Sequence, residues 1–210
     1  MKYELTNEKK ELLDRTLYRI RAVKDFELCD GTIIHAGELG GWIEKEYNLS
    51  QEGSAWVFGE ARVYGEAWVF GKARVYGEAW VFGEARVCGE AQVYGKARVF
   101  GEARVCGEAQ VYGKARVYGE AWVYGKALVS GEADIFKTEH YIVIGPAGSR
   151  HDCTTFYRNK NNGISVICGC FKDSIEDFLA RVNETHGDNK HGQVYRAAAE
   201  LAKLQIDLEG

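Results

Sequence analysis

The chain of 210 residues carries a net charge of −4, with 27 Lys and Arg against 31 Asp and Glu. No basic field is present to grip phosphates, which argues against a nucleic-acid partner, and no run of about eighteen apolar residues offers a membrane span. Six cysteines are scattered at 29, 88, 106, 153, 168 and 170, and the start MKYELTNEKKELLDR has no signal-peptide core, so a reduced, cytoplasmic setting is expected.

Residues 1–53 read as an N-terminal cap and a degenerate first coil. In residues 16–23, Tyr18, Ile20 and Ala22 alternate with Arg19 and Arg21, the period of a half-buried strand. Counting back in sixes from Val57 puts Ile33 and Leu39, but also Lys45 and Gln51, on the core positions of the repeat that follows. Ile43 and Leu49 then fall where that repeat has Ala. Terminal repeats commonly degrade in this way.

Residues 54–137 hold the repeat. Ala recurs every sixth residue from 55 to 133, Gly from 59 to 131, and Val from 57 to 129 with Ile135 closing the series. Ala-x-Val puts two small apolar side chains on one face of an extended segment, and Gly followed by Glu or Lys turns a corner. A period of six drifts around a helix, so an amphipathic helix is excluded. Residues 83–99 and 101–117 are identical, an offset of eighteen. Three strands and three corners per coil make a triangular prism with coils stacked about 4.8 Å apart.

Residues 138–210 read as a small α+β unit. Tyr141 to Ile144 is apolar and ends at Pro146, the only proline. Asn161-Asn162-Gly163 is a hairpin turn signal between strands at 153–158 and 164–168. That register sets Cys168 opposite Tyr157 and Cys170 opposite Thr155. Asp173-Ser174 caps a helix bearing Ile175, Phe178, Leu179 and Val182 on one face, and a second helix is expected from about Gln193.

The Val-to-Ala spacing resembles that of hexapeptide-repeat left-handed parallel β-helix proteins; a right-handed solenoid is the alternative. GGWIEKEYNLSQEGSAWV and the tail residues TTFYR, CGCF, IEDF and ETHG resemble proteins of that kind from bacteria and phages, some of them assigned as acetyltransferases. The resemblance implies the fold and a phage or prophage origin. Acyltransferases of this kind use a histidine within the coils and a loop that breaks them. Here all five histidines (35, 140, 151, 186, 191) lie outside the repeat, which runs without insertion.

No catalytic residue and no cofactor is therefore expected. Cys153, Cys168, Cys170 and His151 are ligand types that zinc accepts, but CxC is not the usual spacing and a free cysteine also serves as a small buried hydrophobe. Cys88 and Cys106 stack on adjacent coils within bridging distance, although a reducing cytoplasm disfavours the bond. The outward columns Tyr76, Tyr94, Tyr112 and Phe82, Phe100, Tyr118, with Trp68, Arg86, Arg104 and Trp122, read either as stiffening ladders or as binding faces. The corner column Glu66, Glu84, Glu102, Glu120 reads as solvated. The function expected is a non-enzymatic solenoid module that binds a protein partner or self-associates, possible homo-oligomers included, with no nucleic acid and no membrane. The alternatives are an acyltransferase with a site between subunits and a phage inhibitor of a host protein.

Overall fold

The computed structural model describes residues 1–208. Each hexad contributes a two-residue strand that pairs in parallel with the strand eighteen residues away: Arg86 stands opposite Arg104 and Val87 opposite Val105. The strands sort into three parallel faces of about five coils. The first face holds Trp56–Val57, Arg74–Val75, Gln92–Val93, Gln110–Val111 and Leu128–Val129. The second holds Arg62–Val63, Trp80–Val81, Arg98–Val99, Arg116–Val117 and Asp134–Ile135, and the third holds Trp68–Val69, Arg86–Val87, Arg104–Val105 and Trp122–Val123.

Alternation dictates the interior. Repeat Val and Ala side chains point inward and are fully buried, in columns that run the length of the prism. The outward residues bond the coils to one another: Arg86 N donates to Ala103 O (2.9 Å), Cys88 N to Val105 O (2.9 Å) and Glu90 N to Gly107 O (2.8 Å). Glycine is required at the corners on two counts. Gly83 has φ 73, and a Cβ there would stand 2.9 Å from the Gly101 nitrogen one coil on. Two corner columns mix their charges: Lys72–Glu90 at 2.9 Å and Lys96–Glu78 at 3.8 Å pair across successive coils, while Glu90 stands over Glu108 and Lys96 over Lys114.

The first coil departs from the sequence expectation. Leu39–Ile43 pairs with Arg62–Val63, and Leu49 bridges to Val69. Ile43 and Leu49 therefore occupy the Val positions, while Ile33 and Leu39 are exposed. The cause is local: eight residues separate Leu49 from Val57 instead of six, and the surplus is spent in the corner at 50–54. A leading hairpin, Tyr3–Leu12 with Arg15–Ala22, joins Leu39–Ile43 in antiparallel fashion and extends the second face to eight strands. Its first strand was hidden by its Lys and Glu content. Lys2 is buried at the open end of the first coil, where Nζ donates to Ala55 O at 2.8 Å. Burial, then the charge of Lys24, holds its pKa down to about 8.

The far end is closed by a four-stranded antiparallel meander: Tyr141–Ala147, Asp152–Arg158, Ile164–Cys168 and Phe171–Ser174. Pro146 lies within the first of these, an edge strand, where the missing N–H is tolerated. One side of the sheet, with Tyr141, Tyr157 and Ile167, completes the solenoid core. The other, with Phe156, Ile164 and Val166, packs on the helices α1 (Ile175–His186) and α2 (Lys190–Gln205). Ser174 caps α1, its Oγ accepting from Asp177 N at 3.1 Å. The second helix begins three residues earlier than expected because Asn189 supplies its cap, accepting from Gly192 N. No helix among the described residues is long and apolar enough to cross a membrane.

Candidate functional site

The three faces share one backbone but differ in how their outward side chains are satisfied. On the first, Tyr76, Tyr94 and Tyr112 stack with centroids 4.7 and 4.9 Å apart and ring planes within 3°. Each hydroxyl of the first two is taken up next door: Tyr76 donates to Gln92 Oε1 (2.9 Å) and Tyr94 to Gln110 Oε1 (3.1 Å). Burial, then the adjacent Tyr76 and Tyr112, push Tyr94 up to about 12. This ladder consumes its own binding groups.

The second face is likewise self-satisfied. Phe82, Phe100 and Tyr118 stack at 4.9 Å. Trp80 is sandwiched between the guanidiniums of Arg62 and Arg98, each 5.0 Å from its centroid. Such cation–π pairs stabilise by roughly 0.5–1 kcal/mol where exposed. The leading hairpin and the strand Leu39–Ile43 cover the beginning of the face, packing Leu12 and Leu17 of the hairpin and Trp42 of that strand with Tyr64, Trp80 and Phe82.

The third face is different. Trp68, Arg86, Arg104 and Trp122 form one in-register column. Trp68 is 40% exposed, Trp122 47% and neighbouring Tyr124 53%. Arg86 and Arg104 are exposed, adjacent and like-charged, and among the described residues neither has an ion-pair or ring partner. Directly opposed like charges destabilise a sheet. Arg98 and Arg116 on the second face are opposed in the same way but lie over Trp80 and Tyr118, and Trp68 stacks on Phe70 at 4.0 Å, whereas Arg86 and Arg104 have no such ring among the described residues. Clefts open at both ends of the face, about 510 Å³ beside Trp68 and Tyr47 and about 470 Å³ beside Tyr124 and Tyr141.

Residues 91–107 and 109–125 match the YdcK Beta solenoid repeat family model. The two stretches lie within consecutive coils and carry the Ala, Val and Gly positions described above, and none of the end units. A comparison with curated proteins found no match.

The structure joins Cys88 to Cys106 in a disulfide on the third face, against the expectation of free thiols. Coil stacking is the reason, since it holds their Cα atoms 4.6 Å apart, within the range a bridge needs. In the terminal hairpin the register is Thr154 opposite Cys168 and Arg158 opposite Ile164, with a five-residue turn in place of the tighter one expected. Cys153 therefore points to the opposite side of the sheet from Cys168. Thr154 Oγ1 donates to Cys168 Sγ (3.2 Å), and Arg150 donates to Cys170 (3.5 Å). His151 is exposed in the turn before Cys153. Among the described residues no group of three or more His, Cys, Asp or Glu is placed to hold a metal ion.

The histidines sit in the end units. His35 is exposed, with Nδ1 3.3 Å from Asp25 Oδ2. His140 is buried, its Nδ1 accepts from Phe136 N at 3.4 Å, and burial first, then Arg158, lowers its pKa. In the acidic corner, Glu66 is neutralised by Lys45 at 2.8 Å, while Glu84, Glu102 and Glu120 are exposed to solvent. Sequence reasoning grouped the tyrosine column with the Phe and Trp/Arg columns as ladders or binding faces. What it missed was the pairing of Tyr with Gln two residues short of the next rung, legible as Gln92 and Gln110.

Proposed function

We propose that the chain is a non-enzymatic solenoid interaction module that docks a protein through its third face. The observation that carries this reading is the Arg86–Arg104 pair, two adjacent guanidiniums with no internal partner, bracketed by the exposed Trp68 and Trp122. Planar guanidinium pairs carboxylates in bidentate fashion, and Trp and Arg are the residue types most enriched at binding hot spots. The partner surface that fits presents carboxylates flanked by apolar side chains. Four strands at about 4.8 Å and a side of roughly 15 Å make a small patch, so a transient complex of micromolar strength is expected. A phage or prophage origin is part of the proposal and rests on the resemblance of the leading segment and tail.

The test is capture from a bacterial lysate together with sedimentation velocity. Loss of captured protein, or of self-association, in Arg86→Glu/Arg104→Glu but not in Tyr94→Ser/Tyr112→Ser supports the reading. Capture and assembly unchanged in the third-face variant would overturn it, and heat on titration with acetyl-coenzyme A would favour the acyltransferase alternative.

A further inference from the structure

The terminal unit holds a concavity separate from the prism faces. A cleft of about 480 Å³ opens beside the turn that joins Ile164–Cys168 to Phe171–Ser174. Phe171, Phe178, Val182 and Tyr195 line its apolar side, and Arg150, Arg181, His186 and Cys170 its polar side; no carboxylate lines it. Arg181 shares its charge with Glu184 at 2.7 Å. Arg150 has no carboxylate partner among the described residues, and its Nη2 donates to Cys170 Sγ at 3.5 Å.

The turn is shaped for this contact. Gly169 has φ 59, and a Cβ there would fall 2.1 Å from Arg150 Nη1, so glycine alone lets the guanidinium lie across the turn. Cys170 is exposed. The Arg150 hydrogen bond, then its charge, holds that thiol below the ordinary range, which favours the thiolate, the reactive form. Cys29, also exposed, lies 4.0 Å from the Lys72 carbonyl and within electrostatic reach of the Lys72 ammonium, but no guanidinium hydrogen-bonds it among the described residues.

We propose that Cys170 is a thiol-exchange site for small disulfides that carry a carboxylate on an apolar body, the cleft taking the body and Arg150 the carboxylate. The Cys170 proton passes to water. Its thiolate sulfur attacks one sulfur of the disulfide, that S–S bond breaks as the Cys170–sulfur bond forms, and the other half leaves as a thiolate. Cys170 is oxidised to the mixed disulfide and the departing half is reduced.

The experiment compares the dianionic aromatic disulfide dithiobis(nitrobenzoate) with the neutral dithiodipyridine on the full chain, with the modified cysteine located by peptide mass mapping. Cys170 is expected to react first, and its fast phase to vanish in Cys170→Ser. Loss of the local positive charge in Arg150→Met should lower the anionic-to-neutral rate ratio about tenfold, and Arg150→Lys should restore part of it. Both residues are exposed, so folding is unaffected. Cys29 reacting first, a fast phase that survives Cys170→Ser, or an unchanged rate ratio in Arg150→Met would each overturn the proposal.

Discussion

Excising one coil should be tolerated better than excising one hexad, although the hexad is a third of the length. Deleting residues 83–100 sets Lys72 over Glu108, Glu78 over Lys114, Tyr76 over Tyr112 with Gln110 beside it, and Phe82 over Tyr118. Every outward pairing keeps its kind, and the prism shortens by about 4.8 Å. Deleting only 83–88 also keeps the Val and Ala columns continuous, but it sets Lys72 over Lys96, Glu78 over Glu102 and Arg74 over Arg98. Two corner ion pairs become like-charge pairs, and Tyr76 loses the Gln92 amide to which it donates at 2.9 Å. Exposed pairs contribute about 0.2–1 kcal/mol and like pairs cost a similar amount. The hydrogen bond adds about 1 kcal/mol. The six-residue deletion is therefore expected to be the less stable by about 2–4 kcal/mol. For a chain of this size that is a Tm roughly 5–15 °C lower. Both variants lack Cys88 and hence its bridge, so the disulfide does not enter the comparison. Circular dichroism melts at low salt provide the assay. Equal melting, or a more stable six-residue deletion, would refute the claim that outward pairing fixes the eighteen-residue unit.

Ala91→Leu should cost about 1–3 kcal/mol in chemical denaturation because Ala91 is fully buried in a stacked column. Glu90→Gln, which removes only an exposed ion pair with Lys72, should cost under about 1 kcal/mol; equal shifts would contradict the inward assignment of Ala. Lys2, held down to about 8 when folded but near 10.5 when unfolded, binds more proton in the unfolded chain between those values. Stability should therefore rise with pH across that window, and Lys2→Met should flatten the rise in melts taken from pH 7 to 11. Cys88→Ser/Cys106→Ser opens an eighteen-residue loop, worth about 3 kcal/mol of chain entropy. Calorimetry under oxidising conditions should show the loss, and an unchanged Tm would contradict a formed bridge.

The solenoid was legible because every coil solves the same packing problem with the same residues. Val87, Ala91 and Gly89 state inward, inward and corner without reference to anything distant. The first coil was misread because its corner at 50–54 carries two surplus residues, and a count in sixes cannot see an insertion that only stacking reveals. The strand Tyr3–Leu12 was missed because its pairing with Arg15–Ala22, and not apolar alternation, makes it a strand. The hairpin register slipped because Asn159 accepts from the N–H groups of Asn161 and Gly163, which widens the turn beyond the tight form that Asn-Gly suggests. On the surface, the sequence named the aromatic and arginine columns but not their states of satisfaction. Whether an outward Tyr or Arg is occupied depends on the residue sixteen to eighteen places on, and that difference separates the third face from the other two.

Oxidative footprinting of the tryptophans, in the free chain and in the complex or oligomer it forms, tests the docking claim most directly. Trp56 is fully buried and serves as the unreactive reference, and Trp80 reports the second face. The account predicts that Trp68 and Trp122 are oxidised in the free chain and protected on assembly, with Trp80 unchanged. Protection at Trp80 alone, or assembly that leaves Trp68 and Trp122 as reactive as before, would contradict it.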